Sequence, residues 1–246
     1  MTYSKIRQCI LSAIAVILIP LLSMQTIPQA DHSLSPLNGA WKIDTGNQQQ
    51  LLLIADGYCM ISTYSIADKK FDGTWGGSFT VTDKEIVLKT EFDSNNKSNV
   101  GKTNRFAYKV SGQNLITNLT GTRLEWKRAD DGKNLLAGNW RITHRKQDDK
   151  MVELPLRARR TLKLLTGSHF QWAAINIETG EFSGTGGGRY SFGNGKYTEY
   201  IDFFSRDASR VGMSLSFSDS LKDGNWIHTG LSSKGDPIYE VWSRMK

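Results

Sequence analysis

Phe182–Tyr190 reads FSGTGGGRY and Phe71–Phe79 reads FDGTWGGSF, so one stretch occurs twice at an offset of 111 residues. Five of the nine positions are identical, a sixth exchanges one aromatic residue for another, and Gly76-Gly77 answers Gly187-Gly188. Chance is a poor explanation of such a match, and an internal duplication is a direct one.

Working outward, the same offset pairs ADGYCM (Ala55–Met60) with TGSHFQ (Thr166–Gln171) and EFD (Glu91–Asp93) with DFF (Asp202–Phe204). Each copy opens alike, with LNGAWK (Leu37–Lys42) and LAGNWR (Leu136–Arg141), but these stand only 99 residues apart. The second copy therefore carries about twelve extra residues between its opening and its centre. Each also closes alike, with LEWKR (Leu124–Arg128) and EVWSR (Glu240–Arg244). Opening, centre and closing recur in order, which makes each copy a complete unit: residues 33–129 and 134–246, joined by a few polar residues.

Ahead of the first unit, Lys5 and Arg7 precede an apolar run from Cys9 to Met24, followed by polar residues. That pattern predicts a secretory signal peptide over residues 1–30, and Pro20 and the short apolar length disfavour a membrane-spanning anchor. The expected location is secreted or periplasmic, with membrane contact only through an uncleaved signal. Without that segment one cysteine remains, Cys59, so no internal disulfide is expected and stability must come from a packed core. The formal charge falls from +7 to +5 with the loss of Lys5 and Arg7. RARR at Arg157–Arg160 is the one basic run, and a nucleic-acid partner is not expected for an exported chain.

In both units short alternating segments are broken by Gly, Asn and Asp. In the second they predict strands near 137–145, 157–166, 168–175, 181–192, 196–204, 210–218, 224–231 and 237–245. Turns such as Gly193-Asn194-Gly195 and Lys222-Asp223-Gly224 have the chemistry of tight reversals. Eight hairpin-linked strands remove their edges by closing, so the predicted fold is all-β: two tandem up-and-down antiparallel barrels, each able to enclose a small ligand. The glycine run Gly184–Gly188 lies inside a strand with no helix after it, which marks a bulge or bend and not a phosphate loop.

The opening Gly39-Ala40-Trp41 and Gly138-Asn139-Trp140, with Arg128 and Arg244 closing the last strands, resemble the lipocalin (calycin) signature. That resemblance implies a tryptophan plugging one end of each barrel with an arginine stacked across it. The second unit also resembles the lipocalin-like domains of uncharacterised secreted proteins of Bacteroidota. The motifs are His169-Phe170-Gln171-Trp172, Gly186–Tyr190, Tyr197-Thr198-Glu199, Trp226–Gly230 and Glu240–Arg244. This implies fold and compartment more than chemistry.

The two units differ informatively. His169 answers Tyr58, Glu199 answers Leu88 and His228 answers Thr117, so three ionisable groups of the second copy are uncharged in the first. With strand alternation this predicts a polar site in the second barrel. Its expected ligand-binding residues are His169, Gln171, Tyr190, Tyr197, Glu199, Trp226, His228 and Glu240, and the expected partner is a small amphipathic or carbohydrate-like molecule. No metal or other cofactor is expected, because the groups lack a metal-binding spacing. Two alternatives keep the same residues: an enzyme of hydrolase or isomerase type with His169, Glu199 and His228 as catalytic groups, or a packed envelope module without ligand. Ser168, next to His169 on what reads as one strand, should face the opposite way. Cys59 reads as core.

Overall fold

The computed structural model describes residues 36–119, 121–232 and 235–245. The segment read as a signal peptide lies outside them. The first unit consists of β1 (Gly39–Thr45), β2 (Gln48–Ala55), β3 (Tyr58–Ser65), β4 (Lys70–Val81), β5 (Glu85–Asp93), β6 (Thr103–Ser111), β7 (Asn114–Thr117) and β8 (Leu124–Asp130). These pair in chain order, antiparallel throughout, and β8 returns to β1 to close a barrel. The second unit consists of β9 (Gly138–Gln147), β10 (Lys150–Glu153), β11 (Arg159–Leu165), β12 (His169–Asn176), β13 (Phe182–Gly193), β14 (Lys196–Phe204), β15 (Ser214–Lys222), β16 (Asn225–Leu231) and β17 (Pro237–Arg244). β17 closes on β9, and β10 folds back on the far end of β9.

Two details depart from the sequence reading. β15 starts at Ser214 because residues 208–210 form a 3-10 turn, whose first amides are capped by the Asp207 side chain accepting from Ser209 N. Asn96 caps the equivalent turn in the first unit. β10 was not foreseen. It exists because Asp148 and Asp149 both take positive φ, 46° and 61°, making a two-residue reversal in a stretch without glycine.

Each barrel is plugged as the lipocalin resemblance implies. The Arg128 guanidinium lies 3.9 Å over the Trp41 ring and Arg244 lies 4.6 Å over Trp140. Both indoles donate to a carbonyl four residues earlier, Leu37 O and Leu136 O, at 2.8 Å. The paired glycines mark bulges: the register shifts between Gly76 and Gly77 and again between Gly187 and Gly188. A β-carbon on Gly188, at φ +153°, would meet the Tyr200 carbonyl oxygen at 2.1 Å. Gly188→Ala is therefore expected to cost roughly 2–4 kcal/mol, read as a lowered urea midpoint.

Three apolar cores organise the molecule. One fills the first lumen around Trp41, Leu52, Ile54 and Trp126; another fills the second around Trp140, Tyr197, Trp226 and Trp242. The third lies between the barrels, with Leu51, Leu53, Met60, Tyr64 and Phe92 meeting Leu162, Leu164, Ala173, Ile175 and Phe203. This explains Leu51–Ile54, a continuous apolar run in a strand: alternate residues feed the lumen and the interface, so both faces are buried. The two barrels form one packed unit. At its centre the Gln171 amide donates to Thr74 Oγ1 (2.8 Å) and Thr185 Oγ1 (3.1 Å) and accepts from Ser62 Oγ (2.9 Å).

Candidate functional site at the open end of the second barrel

The register sets equivalent positions in the two barrels. Trp41 pairs with Leu52 and Trp140 with Lys163, so a lysine in the second lumen stands where the first has leucine. Lys163 is 5% exposed. Its ammonium donates to the Glu199 carboxylate and lies 5.0–5.6 Å from the ring centroids of Phe170, Tyr197, Trp226 and Trp242. Tyr197 OH donates to Glu199 Oε1 at 3.1 Å, and burial, then the Glu199 charge, pushes that phenol well above its ordinary value. Beside them His228 Nδ1 and the Trp226 indole both meet the buried Asp219 carboxylate, at 3.0 and 2.7 Å. The Trp242 indole donates to Glu240 Oε2 (3.0 Å), and Arg145 donates twice to Glu240 Oε1 (3.0 and 2.7 Å).

Of the eight residues singled out in the sequence, Tyr190, Tyr197, Glu199, Trp226, His228 and Glu240 therefore converge in the second lumen or its aromatic wall. His169 and Gln171 do not join them, since their strand face turns to the first barrel. His169 Nδ1 meets Asp130 Oδ2 at 3.1 Å, and Gln171 forms the interface bonds described above. Ser168 was expected to point away from His169 but reaches its Nδ1 at 3.0 Å, because Ser168 belongs to the turn before β12. Both contacts use one ring nitrogen, and Nε2 is buried without a hydrogen-bond partner among the described residues. Cys59 is core, and burial pushes its thiol up to about 12. Among the described residues no three His, Cys, Asp or Glu side chains gather as a metal site.

Open space lies above this packed lumen. On β11 the lumen face runs from Leu165 at the plugged end through Lys163 and Thr161 to Arg159 at the other. There Thr161 lines a groove of about 540 Å³ together with Ile142, Ala174 and Ile175. Its far wall is the segment Val152–Arg157, supplied by the extra residues of the second copy. Six arginines line it, Arg141, Arg145, Arg157, Arg159, Arg160 and Arg206, against one acid, Glu153.

Three of the arginines are engaged with protein. Arg141 donates to Leu154 O at 2.9 Å, which pins the extra segment; Arg145 holds Glu240; Arg206 donates to Ser183 O at 2.6 Å. Arg157, Arg159 and Arg160 make no side-chain hydrogen bond or ion pair among the described residues, and Arg160 Nε is buried without a hydrogen-bond partner. The lip is apolar, with Leu156 54% and Val152 36% exposed. An acid head group among the arginines and an apolar body along this lip would satisfy both features.

None of the eight singled-out residues lines the groove. Glu240 reaches it only through Arg145. Sequence comparison could have found it, because at the same 111-residue offset Arg159-Arg160-Thr161 answers Gln48-Gln49-Gln50, and the twelve extra residues were visible. RARR read alone resembles an ordinary solvated run.

No protein-family model matches the chain, and no curated protein matches it. Two solved structures are similar to about half of it. A lipocalin-like protein from Bacteroides uniformis is 12% identical, over 45% of this chain and 98% of that one, with a TM-score of 0.33. An uncharacterized protein from Bacteroides eggerthii is 13% identical, over 44% and 98%, with a TM-score of 0.30. Likeness of this size assigns neither ligand nor activity.

Proposed function

We propose that this is an exported, non-catalytic binding protein that takes an amphipathic anion at the open end of its second barrel. The carrying observation is the groove itself: three arginines that make no side-chain hydrogen bond or ion pair among the described residues, two of them in place of Gln48 and Gln49, beside an exposed apolar lip on a segment that the first copy lacks. A carboxylate or phosphate head would give Arg159 and Arg160 charge-assisted hydrogen bonds, each worth about 1.5–3 kcal/mol, while the apolar body would cover Val152 and Leu156. The lumen beneath supports the mouth, since Glu240 orients Arg145 and the other polar groups hold one another. Export rests on Lys5, Arg7 and the apolar run after them.

The test is calorimetric titration of the protein with dodecanoate and dodecyl phosphate, with dodecanol as uncharged control. One of the two acids is expected to bind one to one and to weaken with added salt, with dodecanol much weaker. Arg159→Gln with Arg160→Gln, which installs the first barrel's residues, is expected to weaken it at least tenfold with the circular dichroism spectrum unchanged. Equal binding of acid and alcohol, or an unaffected double variant, would refute the site.

A further inference from the structure

We infer that the open end of the first barrel is a second, separate binding site, for a neutral saccharide. The observation is a groove of about 400 Å³ in which two aromatic rings and several amide and hydroxyl groups face the same space. Trp75 and Phe106 line it with centroids 6.2 Å apart and planes at 57°, so they form an angled platform. Around them stand Thr90, Asp93, Asn99 and Asn104.

The polar groups fall into two sets. Asp93 and Asn99 are fixed: Asp93 Oδ1 accepts from the amides of Asn95 (3.0 Å) and Asn96 (2.9 Å), and Asn99 Nδ2 donates to Asp93 Oδ2 (2.7 Å). Thr90, only 2% exposed, and Asn104, exposed on β6, have side chains without a protein partner among the described residues. Both side chains line the groove with polar groups that a ligand can engage without displacing a protein hydrogen bond.

The chemistry selects the occupant. Asp93 and Lys102 cancel, so the groove offers an anion no net attraction, in contrast with the arginines of the other barrel. An apolar ligand would leave Thr90 and Asn104 desolvated and unpaired. A sugar ring carries C–H faces for Trp75 and Phe106 and an edge of hydroxyls for the amide and hydroxyl groups.

The duplication supplies an internal control. At the 111-residue offset Trp75, Thr90, Asp93 and Asn104 answer Gly186, Ile201, Phe204 and Leu215. In the second barrel this region is closed by packing, with Trp172 against Phe204 at 5.5 Å. Divergence thus runs both ways: the second barrel has arginines where the first has Gln48 and Gln49, and the first has polar groups where the second has Ile201, Phe204 and Leu215.

Saturation-transfer difference NMR on the whole protein tests this, with glucose, galactose, mannose, N-acetylglucosamine, maltose and cellobiose as probes and glucuronate as the acidic control. At least one neutral sugar is expected to receive transfer. Asn104→Leu, a surface change to the second barrel's residue that leaves the fold intact, should weaken it at least tenfold. Trp75→Ala should abolish it, and Arg159→Gln should leave it unchanged. The inference is overturned if no neutral sugar receives transfer, if glucuronate is preferred, or if transfer survives Asn104→Leu. Because Arg159 belongs to the other groove, failure here is distinguishable from failure of the anion site.

Discussion

Replacing Glu199 by leucine, the residue that Leu88 supplies at the same place in the first barrel, is expected to destabilise the protein by roughly 3–5 kcal/mol. Lys163 would then keep its buried ammonium with no carboxylate. Four aromatic rings surround it, but each cation–π contact is worth about 0.5–2 kcal/mol and none replaces a counter-ion. Lys163→Met alone should cost a similar amount, because it leaves a buried carboxylate with only the Tyr197 hydroxyl as partner. The double variant should recover most of the loss. Replacing both members of a buried ion pair by apolar groups is often neutral or favourable, and the first barrel folds with Leu52 and Leu88 in these places. A small deficit of about 1 kcal/mol should remain from the Tyr197 hydroxyl. Urea denaturation of the four proteins closes the cycle, with a coupling energy of about 3 kcal/mol or more expected. Additive losses, or a double variant that does not fold, would show that the pair is not one unit.

That cycle also separates what the sequence could show from what it could not. Periodicity, turn residues and the doubled Gly-x-Trp opening were enough for two closed barrels, because strand alternation and tight turns are local rules that recur along the whole chain and edge closure follows from them once in each copy. The comparison of copies found Glu199 and His228 for the same reason that it could have found Lys163: a charge where the other copy has an uncharged residue. It could not say which face of β12 turns inward. His169 and Gln171 share a face with each other, but that face is set by the partner barrel, and a sheet buried on both sides gives no polar edge to orient it. Nor could it separate a lumen whose polar groups satisfy one another from one that awaits a ligand. Asp219 has a strand-like neighbourhood of serines in the sequence, yet it is the group that holds both His228 and Trp226. The groove's wall, Val152–Arg157, has no counterpart to be compared with, so only Arg159 and Arg160, against Gln48 and Gln49, marked its place in the sequence.

Asp130 should be the most sensitive carboxylate in the molecule. It ends β8, and its two oxygens accept from Ala40 N and Gly132 N on the first-barrel side, and from Gly167 N, Ser168 N, Thr166 Oγ1 and Ser168 Oγ on the second. It therefore fastens the closing strand of one barrel to the β11–β12 turn of the other. Burial by itself raises the Asp130 carboxyl. Hydrogen bonds from His169, the Gly167 amide, Thr166 and the Ser168 amide more than reverse this and hold it well below the usual carboxylate range. The folded value lies below the unfolded one, so its contribution is fully present above the unfolded aspartate value of about 3.9 and disappears as pH falls through the folded value. Asp130→Asn is expected to cost roughly 3–4 kcal/mol at pH 7, since an amide offers one acceptor oxygen and turns N–H groups toward donors that remain buried. For a domain of this size that is a fall in Tm of about 10 °C. The difference between variant and wild type should shrink as pH is lowered from 4 toward 2, because the unfolded wild-type chain takes up a proton there that the folded carboxylate still refuses. Amide exchange at Gly167 and Ser168 should quicken at neutral pH, while the exchange of β4 and β5 within the first barrel stays slow. A stability difference that does not change with pH would place the effect in lost packing, and an unchanged exchange rate at Gly167 would show that the turn is held by something other than this carboxylate.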